Sequence, residues 1–285
     1  MSTKARSASK PRKAAPAASG MVRIAALQMA SGPSVSANLA EAEMLIEMAA
    51  KEGARLAVLP EYFAIMGMKE TDKVEVAEEE GRGPIQRFLA RMAKKHKMWL
   101  VGGSVPLVSS QPGKVRNACL VFDDRGKLAA RYDKIHLFGL EMGGERYHEE
   151  RTIEPGSSVV VVETPFGRMG LSICYDLRFP ELYRAMHPVD LIVVPAAFTE
   201  TTGKAHWETL IRARAIENMA YVVAAAQGGY HLNGRETHGH SMIVDPWGVV
   251  LDRLSRGSGV VIANINADYQ QKLRNSLPAL QHRTL

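Results

Sequence analysis

Short apolar runs that stop on a chargeable side chain are the feature that most constrains this fold. Residues 56–60 (Leu-Ala-Val-Leu-Pro) run into Glu61, residues 128–133 into Lys134, and residues 170–173 (Gly-Leu-Ser-Ile) into Cys174. Such runs suit buried strands, because a helix needs about 10–12 residues to be recognisable. The side chain just past a strand's end sits in a loop, where chemistry is concentrated. A thiol, a carboxylate and an ammonium delivered in this way can make a nucleophile, a base and an oxyanion stabiliser.

The rest of the chain alternates strand and helix periodicities. Residues 22–28 predict a strand, and residues 37–51 a helix with Leu39, Ala42, Leu45 or Ile46 and Ala49 on one face and Gly53 as its stop. A strand at 55–59 follows. Pro84 then opens a helix with Ile85, Phe88, Leu89 and Met92 on its apolar face and Lys94, Lys95 and Lys97 at its negative end, before a strand at 98–101. Residues 117–122 with 128–133, and 159–162 with 168–173, flank turn sequences and predict hairpins. Beyond Cys174 the pattern predicts a helix near 180–186, a strand at 190–194, a helix over 206–218 and a strand at 221–226. The last predicted strands are 241–244, 249–252 and 259–265, the first two flanking the 245–248 turn. With no internal repeat, this predicts a layered α/β architecture, in which helices cover buried sheets.

At 285 residues the chain can hold one large domain, expected over 21–285. No apolar run approaches the roughly 20 residues of a membrane helix. The net charge of +6 would suggest nucleic acid, but Lys4, Arg6, Lys10, Arg12 and Lys13 account for all but one of those charges. Residues 1–20 contain no acid and no large apolar side chain between Met1 and Met21, so a disordered basic tail is expected there. Pro11 and Pro16 and the missing Leu or Phe face argue against an amphipathic targeting helix. No nucleic-acid or membrane partner is therefore expected. Two cysteines, Cys119 and Cys174, cannot form a disulfide framework, and no signal-peptide core is present, so a cytoplasmic location is expected. His206 and Glu208 lack any metal-binding spacing, and Gly102-Gly103 and Gly228-Gly229 do not match a nucleotide loop, so neither metal nor cofactor is expected.

Glu61 after LAVLP, Lys134 in YDKIHLF and Cys174 in GLSICYDLRFPE resemble the three signature segments of the nitrilase-type carbon–nitrogen hydrolases. The resemblance extends from about Met21 to the C-terminus. The later segments AHWETLIRARAIENMAYVVAAAQGG, GHSMIVDPWG and LQHR are similar to the branch that contains deaminated glutathione amidase and omega-amidase. This resemblance implies a four-layer α-β-β-α sandwich that pairs into a homodimer or higher homo-oligomer. It also implies a cofactor-free amidase acting on a small γ-amide of a 2-oxo acid, with deaminated glutathione first and 2-oxoglutaramate next.

In that light Cys174 is expected to attack the amide carbon, forming an acyl-enzyme. A free thiol with a pKa near 8.5 is only a few per cent ionised at neutral pH, so Glu61 is expected to take its proton, pass it to the leaving amine and then activate water. Lys134 and the backbone N–H of Tyr175 would hold the oxyanion. Glu149 aligns with the family's second glutamate, whose implied task is to orient Lys134. Arg178, four residues past Cys174, offers a bidentate donor for a substrate carboxylate, or else braces the Cys174 loop against an acid. Tyr175, Phe198 and Thr202 complete the expected substrate-binding set. Cys119 lies mid-strand without a motif and is expected in the core.

Two departures bear on substrate. Gly139 stands where the family often carries an acid, and the polar segment 230–238 is either a substrate-facing flap or a surface loop. Two rival functions remain at this stage: hydrolysis of N-carbamoyl amino acids or nitriles with the same Glu, Lys and Cys, and a non-catalytic binding protein that uses its basic tail.

Overall fold

The computed structural model describes residues 20–142 and 144–284, so the anticipated tail lies, except for Gly20, outside the described residues. The first part of the chain forms β1 (Met21–Gln28), α1 (Val35–Lys51), β2 (Leu56–Val58), α2 (Asp72–Glu75), α3 (Pro84–His96), β3 (Trp99–Val101), β4 (Val105–Val108), β5 (Val115–Phe122) and β6 (Leu128–Asp133). Next come β7 (Gly139–Met142), β8 (Glu145–His148), β9 (Val161–Thr164), β10 (Gly167–Leu171), α4 (Pro180–Ala185), β11 (Leu191–Ala196) and α5 (Glu200–Asn218). The chain then forms β12 (Tyr221–Ala226), β13 (Gly228–Tyr230), β14 (Glu236–His238), β15 (Ser241–Val244), β16 (Val250–Leu254), β17 (Gly259–Asn266) and α6 (Ala267–Ser276).

One large sheet has the order β17-β1-β2-β3-β5-β4, with β6 also paired to β5, and the other has the order β16-β15-β12-β11-β10-β9. Their central strands β2, β11 and β12 are covered on both faces, which explains why these are apolar at successive positions. In β1, Ile24 and Ala26 join the core that reaches the second sheet, while Ala25 and Leu27 pack in the cluster containing α1 and α3. Helix α1 contributes Ala42, Leu45, Ile46 and Ala49 to that outer layer, at the spacing of one helical face, and α3 contributes Ile85, Phe88, Leu89 and Met92. On the far side of the second sheet, α4 and α5 bury Leu182, Tyr183, Trp207, Ile211 and Ala215. The layers run helix, sheet, sheet, helix, the α-β-β-α sandwich implied by the resemblance.

Some elements depart from the sequence reading. Helix α5 starts at Glu200, six residues earlier than the apolar stripe predicts. Thr199 caps it, its Oγ1 accepting from Thr202 N at 3.2 Å. Its first turns contain Gly203, where a Cβ would stand 2.3 Å from the Cβ of His238, so glycine lets α5 lie close to β14. Strand β4, the β7–β8 and β13–β14 hairpins and helix α6 were not anticipated. The β7–β8 hairpin is largely exposed and α6 buries only Gln270, so neither carries an apolar period to read.

The parallel strands matter most for the site. Strands β1 and β2 run parallel, as do β10, β11 and β12. An isolated bridge between Met29 and Gln227 joins the chain just past β1 to the chain just past β12. Carboxyl ends of parallel strands are where α/β folds place ligands. Glu61, Cys174 and Ala197 follow β2, β10 and β11, and Lys134 follows β6.

Candidate active site

The carboxylate that leaves β2 is buried at 1% exposure, so every charge near it counts. Glu61 Oε1 accepts from Lys134 Nζ at 2.9 Å and from Asn117 Nδ2 at 2.9 Å. Lys134 Nζ also donates to Glu149 Oε1 at 3.0 Å and Oε2 at 2.7 Å. Glu149 is fixed in turn by the Tyr62 hydroxyl on Oε1 and the Phe138 N–H on Oε2, both at 2.7 Å. Cys174 lines the same pocket as Glu61 and Ala197, near enough for the Glu61 charge to act on its thiol. The structure thus brings Cys174, Glu61, Lys134 and Glu149 together.

Two negative charges and one positive charge share this dry space. Burial raises the Glu61 pKa, Lys134 opposes the rise, and the charge of Glu149 adds to it. Burial also works against the Lys134 ammonium, but Glu149 and Glu61 more than offset it and hold its pKa well above the ordinary lysine value. For Glu149 burial is again outweighed, here by Lys134 and by the hydrogen bonds from Phe138 and Tyr62, so its pKa falls. Burial and the negative charge of Glu61 push the Cys174 thiol well up. A thiol pushed up in this way rests protonated, so it can become a thiolate only by giving its proton to a neighbouring group.

Cys174 adopts φ +50° and Tyr62 φ +57°, left-handed backbone that costs a non-glycine residue about 1–3 kcal/mol. Asp176, fully buried, holds the Cys174 turn in place. Its Oδ2 accepts from Ile173 N at 2.9 Å and from the Tyr132 hydroxyl at 2.7 Å, while Oδ1 accepts from His136 N at 3.0 Å and contacts His136 Nδ1 at 2.7 Å. One carboxylate therefore ties the Cys174 turn to the segment carrying Lys134. Asp176→Ala is expected to cost about 2–4 kcal/mol, because it strands several buried donors. Urea unfolding checks this, and a loss under about 1 kcal/mol would show that the turn holds without Asp176.

The cluster opens onto a pocket whose wall includes Glu61, Glu149, Cys174, Phe138, Tyr147 and Arg235. Arg178, Tyr175, Phe198 and Thr202 do not themselves line the pocket; they pack together next to Phe138 and Thr199, which do. The Arg178 guanidinium lies 5.8 Å from the Tyr175 ring centre and 5.4 Å from that of Phe198, and its Nη1 is 3.2 Å from His206 Nδ1. Tyr175 packs 5.2 Å from Phe138, and Thr202 Oγ1 sits 2.9 Å from Oγ1 of Thr199, which faces the pocket. The polar segment 230–238 supplies Arg235, Glu236 and Thr237 to the wall, so it faces the pocket.

The sequence reading missed Tyr62, Asn117, Asp176, Gln227 and Arg235. Gln227 Nε2 donates to Ser31 Oγ at 2.8 Å and to the Glu61 carbonyl at 3.0 Å, joining the two sheets beneath the site. A signal existed for two of them: Asn117 and Gln227 are amides set at the edges of apolar strand runs, where a buried polar group must be satisfied. Cys119 is fully buried within β5, and burial alone pushes its thiol up. Among the described residues, no group of three or more His, Cys, Asp or Glu is placed to hold a metal ion, and no helix is long and apolar enough to cross a membrane.

The carbon–nitrogen hydrolase family model matches residues 23–275. A deaminated glutathione amidase from a Synechocystis species is 45% identical over 265 residues, covering 91% of this chain and 97% of that one. Among solved structures, the Caenorhabditis elegans NitFhit protein superposes with a TM-score of 0.84 at 39% identity, covering 93% of this chain and 66% of that longer protein. A Saccharomyces cerevisiae protein described as a member of branch 10 of the nitrilase superfamily superposes with a TM-score of 0.83 at 31% identity, covering 93% and 97%.

Proposed function

We propose, from the premise that the chain belongs to the carbon–nitrogen hydrolase family and is an amidase, that it hydrolyses the γ-amide of deaminated glutathione. The observation that carries this reading is that Cys174 and Glu61 line one pocket while Lys134, directly behind its wall, is hydrogen-bonded to Glu61. The similarity to a deaminated glutathione amidase supports the choice of substrate.

The charge balance suggests how the steps are coupled. As Cys174 sulfur bonds to the amide carbon, its proton passes to Glu61 and the carbonyl π electrons move to oxygen. Glu61 becomes neutral and loosens its hold on Lys134, which frees an ammonium N–H for the new oxyanion. The Tyr175 backbone N–H is the second donor. Collapse of the oxyanion breaks the C–N bond, and the amine leaves with the proton from Glu61. Water then adds to the thioester, giving its proton to Glu61. Breaking the C–S bond releases the acid and returns the proton to sulfur.

The test is a side-by-side assay with deaminated glutathione, 2-oxoglutaramate, an N-carbamoyl amino acid and a nitrile. Deaminated glutathione is expected to exceed the carbamoyl compound and the nitrile by at least about 100-fold in kcat/KM. Preference for either rival would move the activity to that substrate class. The same assay read against pH should show an acidic limb. Glu61 must be ionised to accept the thiol proton, and burial raises its pKa, so activity falls as pH drops through a midpoint above the ordinary carboxylate value of 4.5. A midpoint at or below 4.5 would remove Glu61 as the base.

A homodimer is also part of this reading. Ile216 at the end of α5 packs under Gly248 and, with Trp247 and Val249, leaves an exposed apolar patch. Sedimentation mass decides it, a monomeric mass at micromolar concentration arguing against pairing.

A further inference from the structure

One cation in the pocket wall has no part in the chemistry above. Arg235 comes from the turn between β13 and β14, and that turn is pinned: Asn233 Nδ2 donates to the Gly67 carbonyl at 2.7 Å, Arg235 N donates to Asn233 Oδ1 at 3.0 Å, and His231 Nδ1 sits 2.9 Å from the Ser31 carbonyl. The guanidinium is held 4.9 Å from the Tyr147 ring centre and 3.9 Å from Met66 Sδ, and its outer edge pairs with Glu70. The other oxygen of Glu70 accepts from Lys73 Nζ at 2.7 Å.

This arrangement is an exchangeable one. The Glu70 side chain is 46% exposed, so its pairing with Arg235 is weak and easily displaced by another carboxylate. Lys73 would still neutralise Glu70 after such an exchange, and Glu70 is exposed enough to stay hydrated, so no charge is stranded. Arg235 offers a planar fork suited to a carboxylate, against an aromatic ring that fixes its plane. Arg235 lines the same pocket as Cys174 and Glu61, and its partner Glu70 is half exposed, so the pair stands toward the pocket mouth, where a long amine half would extend. Arg178 packs against Tyr175 and Phe198 and does not line the pocket, which leaves Arg235 as the guanidinium in its wall.

We propose that Arg235 reads a carboxylate on the amine half of the substrate, with Glu70 as the internal carboxylate that occupies Arg235 when the pocket is empty. The substrate class is therefore a γ-amide whose amine half is a short peptide with a free C-terminal carboxylate, in preference to a bare primary amide. This rests on the amidase reading of the same pocket.

The test compares deaminated glutathione with its C-terminal carboxamide, which differs only in the charge Arg235 would meet. The unsubstituted protein prefers the acid by on the order of ten- to a hundredfold in kcat/KM, expressed mainly in KM. Arg235→Met brings that ratio to within about threefold, and Arg235→Lys, which keeps the charge but loses the fork, gives an intermediate ratio. Glu70→Gln frees Arg235 and lowers KM for the acid more than for the carboxamide. A preference that survives Arg235→Met, or one absent from the unsubstituted protein, overturns the proposal. Calorimetric binding of both compounds to the Cys174→Ala protein reads the same ratio without turnover. If neither compound is hydrolysed but the Arg235-dependent binding preference stands, the amidase reading fails and the carboxylate site does not.

Discussion

Cys174→Ala is expected to cut turnover by at least about 10⁴-fold while leaving the protein folded. Every step of the proposed reaction passes through a bond to that sulfur, and neither Glu61 nor Lys134 can replace it. The substitution removes one atom from a turn held by Asp176 and keeps a Cβ at the same left-handed backbone position, so stability should change by no more than about 1 kcal/mol. Intact-mass spectrometry supplies the second arm. Mixed with the amide and quenched rapidly, the unsubstituted protein carries an adduct equal to the acyl half of the substrate, and the alanine variant carries none. Turnover by the variant within tenfold of the unsubstituted protein would exclude an acyl-enzyme on Cys174.

Lys134→Met should have the next largest effect, and it acts on two quantities at once. The methionine keeps the volume of a fully buried stem but deletes the charge that two carboxylates share. Leaving both acids without their cation costs about 3–5 kcal/mol of stability. Losing an oxyanion donor costs on the order of 10²–10³ in kcat. The pH profile separates these roles. Burial sets the raised pKa of Glu61, Lys134 holds it down and Glu149 pushes it up. Lys134→Met should therefore displace the acidic limb to higher pH, and Glu149→Gln should displace it to lower pH. Displacement of both in the same direction would mean that the limb does not belong to Glu61.

How much of this was legible beforehand depended on whether the information was local. The strands that deliver Glu61 and Cys174 show as short apolar runs because both faces of each sheet are covered there, whereas β6, which delivers Lys134, buries only Tyr132 and carries Arg131 and Asp133. The first two turns of α5 were not legible, since a Thr cap and a glycine chosen for contact with β14 leave no apolar stripe. The β7–β8 hairpin, whose neighbour Phe138 packs against Tyr147, is mostly exposed and so has no period either. Arg178 stood out because it is near Cys174 in sequence. Arg235, which enters the pocket wall from 61 positions further along, did not.

The amino-acid sequence by itself determined which side chains stop the strands and in what order, because strand periodicity and its interruption are properties of neighbouring residues. Only the tertiary structure decided what those side chains meet. Lys134 stands between Glu61 and Glu149, Asp176 binds the Cys174 turn to the Lys134 segment, and Arg235 shares a wall with Cys174. These pairings join residues far apart in the chain, and their charge states follow from burial between two packed sheets, a condition no local stretch of sequence contains.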